Sequence, residues 1–563
     1  MKNIFIKNVW AIVLAGTVIS GLNGQSKSGD VMLDAMHDEL ERNMKELKLP
    51  ESPRPCFILY GALDQKSYMV AATMGSLINY SELPVRVRTS SRVLVGDFHF
   101  NDESLDDNHY SSPTVHEIEL PVDDDYLGIR RSFWSITDEV YRGAAKDYQK
   151  NQQTLKESGK ELKDHPHRYF EKSQPVKIIE ELKPYSWNKE KYVALARNLS
   201  SEFIGHPEIT NSRVIITFAE EKRYITSSEG TSVRTPSSRA GIAVMAQLRL
   251  ESGETFYDQR EFDGATPDDF PDEQFLRSEI GKLIASLKAS KQGARLEEDY
   301  SGPVLVTGTS VARAFMNAFL NNRESIISGD ELPQKKSGYR VEQGAGLENK
   351  IGKQIAHESL TIKVRPALKE FNGTKLFGHF KVDDEGFVPP DEVLVIENGI
   401  LKTLLNDRTS VSTITHKFPS GFASGVGVLE VTSGLKNTEK ELKDKLLKKA
   451  KEEGLEFGLI VRSKSSTGMG GYNVFKVYVD DGREELVSDV QVDRPSLKSM
   501  RKLLGASDTY KAYNLMPQFT PGGSPNLTSV IVPDAILLDE IDANAMNDMD
   551  EKETQYVTNP LMK

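Results

Sequence analysis

The stretch GTSVARAFMNAFLNNR, residues 308–323, follows the apolar run GPVLV at 302–306 and reads as a strand feeding a helix. Nearly every position on that helix is apolar or small. Arg313, Asn317 and Asn321 break the pattern at i, i+4 and i+8, a single stripe of groups that are poor acids, bases and metal ligands. Ser310 opens the helix where a nucleophile elbow would place its serine. The string G-T-S-V-A lacks the closing glycine of that motif, and a serine here serves equally as a helix cap. In KVDDEGFVPP, the carboxylates of Asp383, Asp384 and Glu385 are dense enough to bind a cation or move a proton; acidic residues before Gly386 also suit a tight turn. The glycine-rich SSTGMGGYN, 465–473, could turn the N–H groups of Gly470 and Gly471 toward an anion or a peptide. No Lys-Ser or Lys-Thr follows, so it is not a P-loop, and a hairpin loop fits as well.

Metal chemistry has little to stand on. Ten histidines are scattered with no H-E-x-x-H among them. His165 and His167 form an H-x-H with no further ligand nearby, which a solvated loop explains, and His357-Glu358 precedes a strand rather than sharing a helix face. The one cysteine, Cys56, excludes a CxxC zinc site and an internal disulfide, so the fold rests on its core; a small buried apolar residue is its expected role.

These residues need elements to position them. Leu33, Met36, Leu40, Met44 and Leu47 predict a helix over 31–48, stopped by Pro50, Pro53 and Pro55. Strands are expected at 56–63, 67–73, 83–90, 91–100, 212–220, 222–230 and 240–250, and helices at 126–157, 189–203 and 271–288. The polar segment 288–302 is the expected linker. Beyond it the texture turns to short strands: 360–364, 391–405, 425–434, 456–463, 472–492 and 527–541. Asn398-Gly399 and Asp481-Gly482 signal hairpins, because both pairs accept the positive φ of a type I′ turn. One helix interrupts at 438–453, with a Thr438/Glu441 capping box, an apolar stripe of Leu442, Leu446, Leu447 and Ala450, and Gly454 as its stop.

The chain has 563 residues, 38% hydrophobic and 27% charged, with a net charge of −12. That is a globular composition with room for several domains, and without a basic block it gives no footprint for nucleic acid. The first 24 residues stand apart: MKNIFIK, then the 14-residue apolar run VWAIVLAGTVISGL, then polar NGQSKSGD. This is the pattern of a secretory signal peptide, too short for a comfortable membrane span, and it predicts an exported, periplasmic protein with no membrane attachment after cleavage. The expected organisation is a signal peptide at 1–24, an α+β domain at 25–295, a β-rich domain at 296–545 and a polar tail at 546–563.

Several segments resemble the TldD/PmbA family, described as metallopeptidases that process peptides or small proteins. DDEGFVPPDEVLVIENGILKTLLNDRTS, 383–410, is similar to that family's D-D-E-G followed by V-L-I-E-x-G-x-L-K-x-x-L-x-D-R. GPVLVTGTSVARAF, 302–315, resembles the strand and helix start before its metal motif, and SSEGTSVRTPSSRAGIAV, 227–244, its N-domain N-S-E-G segment. The resemblance implies a two-domain α+β fold of that type. It also implies H-E-x-x-x-H on the 308–323 helix, with a third zinc ligand, a cysteine, near the C-terminus. In this chain the motif falls on Met316, Asn317 and Asn321, and 505–541 contains no cysteine. Zinc hydrolysis needs lone-pair donors and a base to activate water. The family's paired system of a metal-bearing subunit and a metal-free homologue implies a role for such a chain: a non-catalytic subunit without its own cofactor, closing a peptide chamber with a zinc-bearing partner or with a second copy of itself. Arg313, Asp383, Asp384, Glu385, Gly470 and Gly471 are the expected peptide contacts. A stand-alone periplasmic peptide-binding protein, or a peptidase using Ser310 or the 383–385 carboxylates, are the alternatives.

Overall fold

The computed structural model describes residues 29–105, 118–249, 255–290, 293, 296–320, 325–328, 347–463, 471–488, 490–515 and 527–545. The expected signal peptide, Asn321, Gly470 and the polar tail lie outside the described residues. No helix among the described residues is long and apolar enough to cross a membrane.

The N-terminal half is one sheet with helices on one face. Ser76–Val95, Pro55–Thr73, Ile209–Ser227 and Ser232–Arg249 lie side by side in that order, each pair antiparallel. Thr255–Gly264 extends the sheet along Ala240–Arg249, and Lys177–Ile179 runs parallel to Ser232–Arg234. Four helices cover one face: α1 (Val31–Glu46), α2 (Tyr126–Ser158), α3 (Lys189–Ser201) and α4 (Glu273–Ser290). On Pro55–Thr73, Ile209–Ser227 and Ser232–Arg249 the even-numbered residues pack on them, Ile58, Tyr60 and Ala62 under α1 and α2, and Val214, Ile216, Ile242 and Val244 under α3 and α4; on Ser76–Val95 it is the odd-numbered Val93 and Val95. The alternate residues of each strand face the other way. At one end of that second face Phe57, Leu59, Ile225 and Val233 pack with Phe170 and with Val382 of the C-terminal half.

The strands expected at 56–63 and 67–73 are one strand, as are those at 83–90 and 91–100, which stops at Val95, and those at 212–220 and 222–230, which stops at Ser227. The charged residues at the centre of the first strand are tolerated because they pair across the sheet, Asp64 opposite Lys222 and Lys66 opposite Glu220.

The C-terminal half packs two sheets around α5 (Thr309–Phe319). One is six-stranded and the other seven-stranded, with Tyr300–Thr307 inside the latter between Phe457–Ser463 and Ala535–Ala545. Val304 and Val306 face the inter-sheet core while Leu305 faces α6 (Glu439–Glu452) on the outside. Burial on both faces explains why GPVLV is a continuous apolar run. The capping box of α6 forms as expected: Glu441 N–H donates to Thr438 Oγ1 at 3.3 Å, and Thr438 N–H to Glu441 Oε2 at 2.8 Å. A further short helix, α7 (Leu497–Arg501), has no counterpart in the sequence reading.

Candidate functional site

Gly308, at φ +66°, breaks the strand Tyr300–Thr307 and starts α5; its N–H donates to Asp534 O at 2.8 Å. Val311, Ala312, Ala314, Phe315, Ala318 and Phe319 are buried. That leaves one outward stripe, as the spacing implied: Arg313 exposed, Met316 and Asn317 half-buried. The Asn317 amide donates to Pro495 O at 3.1 Å. Partial desolvation of the guanidinium by its surroundings lowers the Arg313 pKa although much of the residue is open to solvent; Glu261, on the N-terminal sheet, opposes that shift and Arg494 adds to it. The stripe therefore faces a setting that contains two guanidinium groups.

This set does not fit zinc. The two described motif positions offer a thioether and an amide already committed to a backbone carbonyl, and Arg313 adds positive charge on the same face. Among the described residues no three His, Cys, Asp or Glu side chains converge on a point that could hold a metal ion. Cys56 lies in the N-terminal sheet, where its thiol donates to Leu94 O at 3.3 Å. Burial, followed by the charge of Asp102, pushes that thiol up to about 12, as expected of an inert packed cysteine.

Among the described residues no base bonds the Ser310 hydroxyl. Its hydroxyl lies 2.8 Å from Ser463 Oγ, which also accepts the Ser310 N–H at 2.6 Å and donates to Thr307 O at 3.1 Å. This is the geometry of a capped helix start. His167 Nδ1 bonds His165 O at 2.8 Å, and His165 Nδ1 bonds Pro166 O at 2.9 Å, so the H-x-H closes on its own backbone.

The acidic run is a turn joined to a domain junction. Asp383 is fully buried; Oδ1 accepts the N–H groups of Glu385 and Phe387 at 3.0 and 2.8 Å, and Oδ2 that of Ala423 at 3.1 Å. Burial, then the charge of Glu385, pushes its carboxyl up to about 7 against the pull of those donors. Asp384 pairs with Arg223 at 3.2 Å. Glu385 binds Arg92, which also holds Glu103, and accepts the Arg408 N–H at 2.9 Å. The buried Arg408 guanidinium bonds Glu229 Oε2 at 2.6 Å and Glu171 O at 2.6 Å. Arg92 and Arg408 both lie over the Phe170 ring, at 4.4 and 4.3 Å from its centroid. Beside them Arg168–Phe170 pairs with Thr409–Val411. The D-D-E-G and D-R segments thus tie the two halves together. Sequence reasoning singled out the carboxylates but missed Arg92, Arg408 and Glu229.

Next to this junction lies a cleft of about 510 Å³ between the halves. Arg223 and the 235–239 stretch form one wall, and 376–382 with Ser424 the other. Gly471, exposed at the start of Tyr472–Tyr478, is not part of it.

Residues 302–542 match the model of the PmbA/TldA metallopeptidase C-terminal domain. Three solved structures share the fold. A candidate modulator of DNA gyrase from Bacteroides thetaiotaomicron aligns with 92% of this chain and 99% of its own, at 14% identity and TM-score 0.56. A second such protein, from Thermotoga maritima, aligns with 86% and 96%, at 16% identity and TM-score 0.52. TldE from Thermococcus kodakarensis aligns with 91% and 100%, at 13% identity and TM-score 0.50. No protein of curated function matches the chain.

Proposed function

The chain belongs to the PmbA/TldD family, and on that premise we propose that it is the metal-free, chamber-forming subunit of an exported peptidase of that family. The observation that carries the proposal is the outward stripe of α5. Its helix, strand and glycine start are present, and Met316 and Asn317 stand where the resemblance puts the first histidine and the glutamate. Neither can hold zinc and activate water. The role left to the chain is architectural: it closes a chamber around an extended peptide, and a homologous subunit with H-E-x-x-x-H supplies the zinc. The polar opening and apolar run of the first 24 residues support export.

Two measurements test this. Metal analysis of the purified chain should find zinc well below one per molecule. Affinity capture from the native host should recover a homologue that keeps the histidines, and the pair should cleave peptides that this chain alone leaves intact. Stoichiometric zinc on the isolated chain, with chelator-sensitive peptide cleavage, overturns the proposal. The inter-domain cleft also suits a stand-alone peptide-binding protein; capture of no homologue under conditions that preserve peptide binding favours that reading.

A further inference from the structure

The outward stripe of α5 carries two guanidinium groups that no ion pair among the described residues neutralises. Arg313 is exposed on the second turn of α5, and Asn317, one turn on, donates its amide to Pro495 O at 3.1 Å. That bond holds the 494–495 segment against the stripe. Arg494, also exposed, thereby stands close enough for its charge to act on Arg313. Among the described residues neither guanidinium has a hydrogen-bond or ion-pair partner. Two like charges held together cost free energy, and a bound anion relieves that cost.

The stripe looks onto the N-terminal sheet from its helix-free side. Thr255–Gly264 pairs Glu261 with Ala243 and Asp263 with Gly241. Phe262, between them, packs among the residues under α3 and α4, so strand alternation turns Glu261 and Asp263 to the opposite side. The Arg313 guanidinium is partly desolvated although the residue is exposed, so protein surrounds it without bonding it, and the Glu261 charge reaches it without an ion pair. The charge of Asp263 is met by Arg239 on the neighbouring strand. Two cations thus stand against one carboxylate, an excess of one positive charge that suits a monoanion. A carboxylate matches the planar fork of a guanidinium, two N–H groups to two oxygens. A phosphate dianion would set a second negative charge against Glu261, and a metal ion or an ammonium group would meet two cations.

We propose that Arg313 and Arg494 form a carboxylate-binding site on the face where the resemblance puts a metal, and that it takes a free carboxylate of a peptide, from the C-terminus or from an Asp or Glu side chain. The proposal rests on the peptide-chamber reading above and adds a charge preference: peptides that bring a carboxylate are held, and neutral amidated ones are not. Asn317 is a positioning residue here, acting through Pro495 on Arg494.

The test uses the full chain alone and titration calorimetry with an N-acetylated octapeptide of alternating Ser and Ala. Three forms are compared: a free C-terminal carboxylate, a C-terminal amide, and the amide with one central Glu. The free acid should bind at least about ten-fold more tightly than the plain amide, the worth of charge-assisted hydrogen bonds. Arg313→Gln and Arg494→Gln should each remove most of that difference at the parent's melting temperature, because neither side chain ties down another group. Glu261→Gln should act the other way and tighten the free acid by about two- to four-fold, the scale of one nearby like charge removed. Tighter binding of the Glu-bearing amide than of the plain amide admits side-chain carboxylates to the site; equal binding of the two amides, below the free acid, assigns it to the C-terminus. Absence of binding by the free acid, equal affinity of all three forms, or a free-acid preference that survives in the folded double arginine variant overturns the proposal, as does weaker binding of the free acid by Glu261→Gln. Failure here leaves the subunit reading standing, because zinc content and capture of a homologue do not depend on these arginines.

Discussion

Asp383 accepts three main-chain N–H bonds, yet burial and Glu385 hold its carboxyl up at about 7 against an ordinary value of 3.8. Between those two values the folded chain binds more protons than the unfolded chain. This group's contribution is therefore fully present below pH 4 and is lost as pH rises through 7. Asp383→Asn removes that slope, but it sets an NH₂ against the Ala423 N–H, a fixed cost of ~1–3 kcal/mol. Urea denaturation should find the variant clearly weaker at pH 5 and closer to the parent at pH 8. A gap of the same size at pH 5 and pH 8 would mean that Asp383 is ionised in the fold. The sequence showed that three carboxylates meet a glycine; it could not show that one is buried in a turn and another ends at a domain junction. Arg92 lies 293 residues from Glu385, and Arg408 lies 179 from Glu229, so no local pattern links them. The α5 stripe was legible because i, i+4 spacing is local.

Short-range geometry was read best where one turn decides it. Asn398 and Gly399 stand at φ +49° and +77°, both positive as a type I′ turn requires, between Val393–Glu397 and Ile400–Leu401. Asp481-Gly482 also lies in a hairpin, but only Gly482 has a positive φ, +71°, and Tyr478 N–H reaches Arg483 O at 3.0 Å across a longer loop. Gly399→Ala should cost at least ~1–2 kcal/mol for the left-handed backbone alone. It should cost more in practice, because an added Cβ would lie 2.8 Å from His357 O. Thr438→Ala removes half of the capping box on α6 and should cost ~1 kcal/mol, read as a lower melting temperature with unchanged peptide binding. Equal effects of the two substitutions would contradict the packing around Gly399. The long strands of the N-terminal sheet were less legible, because one of their faces is solvated and its charges mimic turn signals. α7 and the strands Leu503–Ala506 and Tyr510–Leu515 are too short to show a period.

Whether the two halves behave as one body depends on the Arg92–Arg408 junction. Arg408 is 1% exposed, so its charge is out of water and is balanced by Glu229 and by carbonyls of Glu171 and Glu385. Arg408→Met leaves Glu229 without its buried cation and should cost ~3–5 kcal/mol. Arg408→Lys restores charge but neither the fork to Glu171 nor the stacking on Phe170, and should recover only part of that. The loss should also change the form of unfolding. Arg223–Asp384, Lys381–Glu180 and Lys375–Asp269, the remaining described ion pairs along the cleft, involve partly exposed groups and are weak ties. Val382 and the two-stranded pairing of Arg168–Phe170 with Thr409–Val411 add little apolar area. Calorimetry should therefore show one endotherm for the parent and two for Arg408→Met, the lower one shifting further when Arg92→Met is added. A single endotherm that merely moves down would mean that the core contact at Phe57, Phe170 and Val382 couples the halves without the arginines.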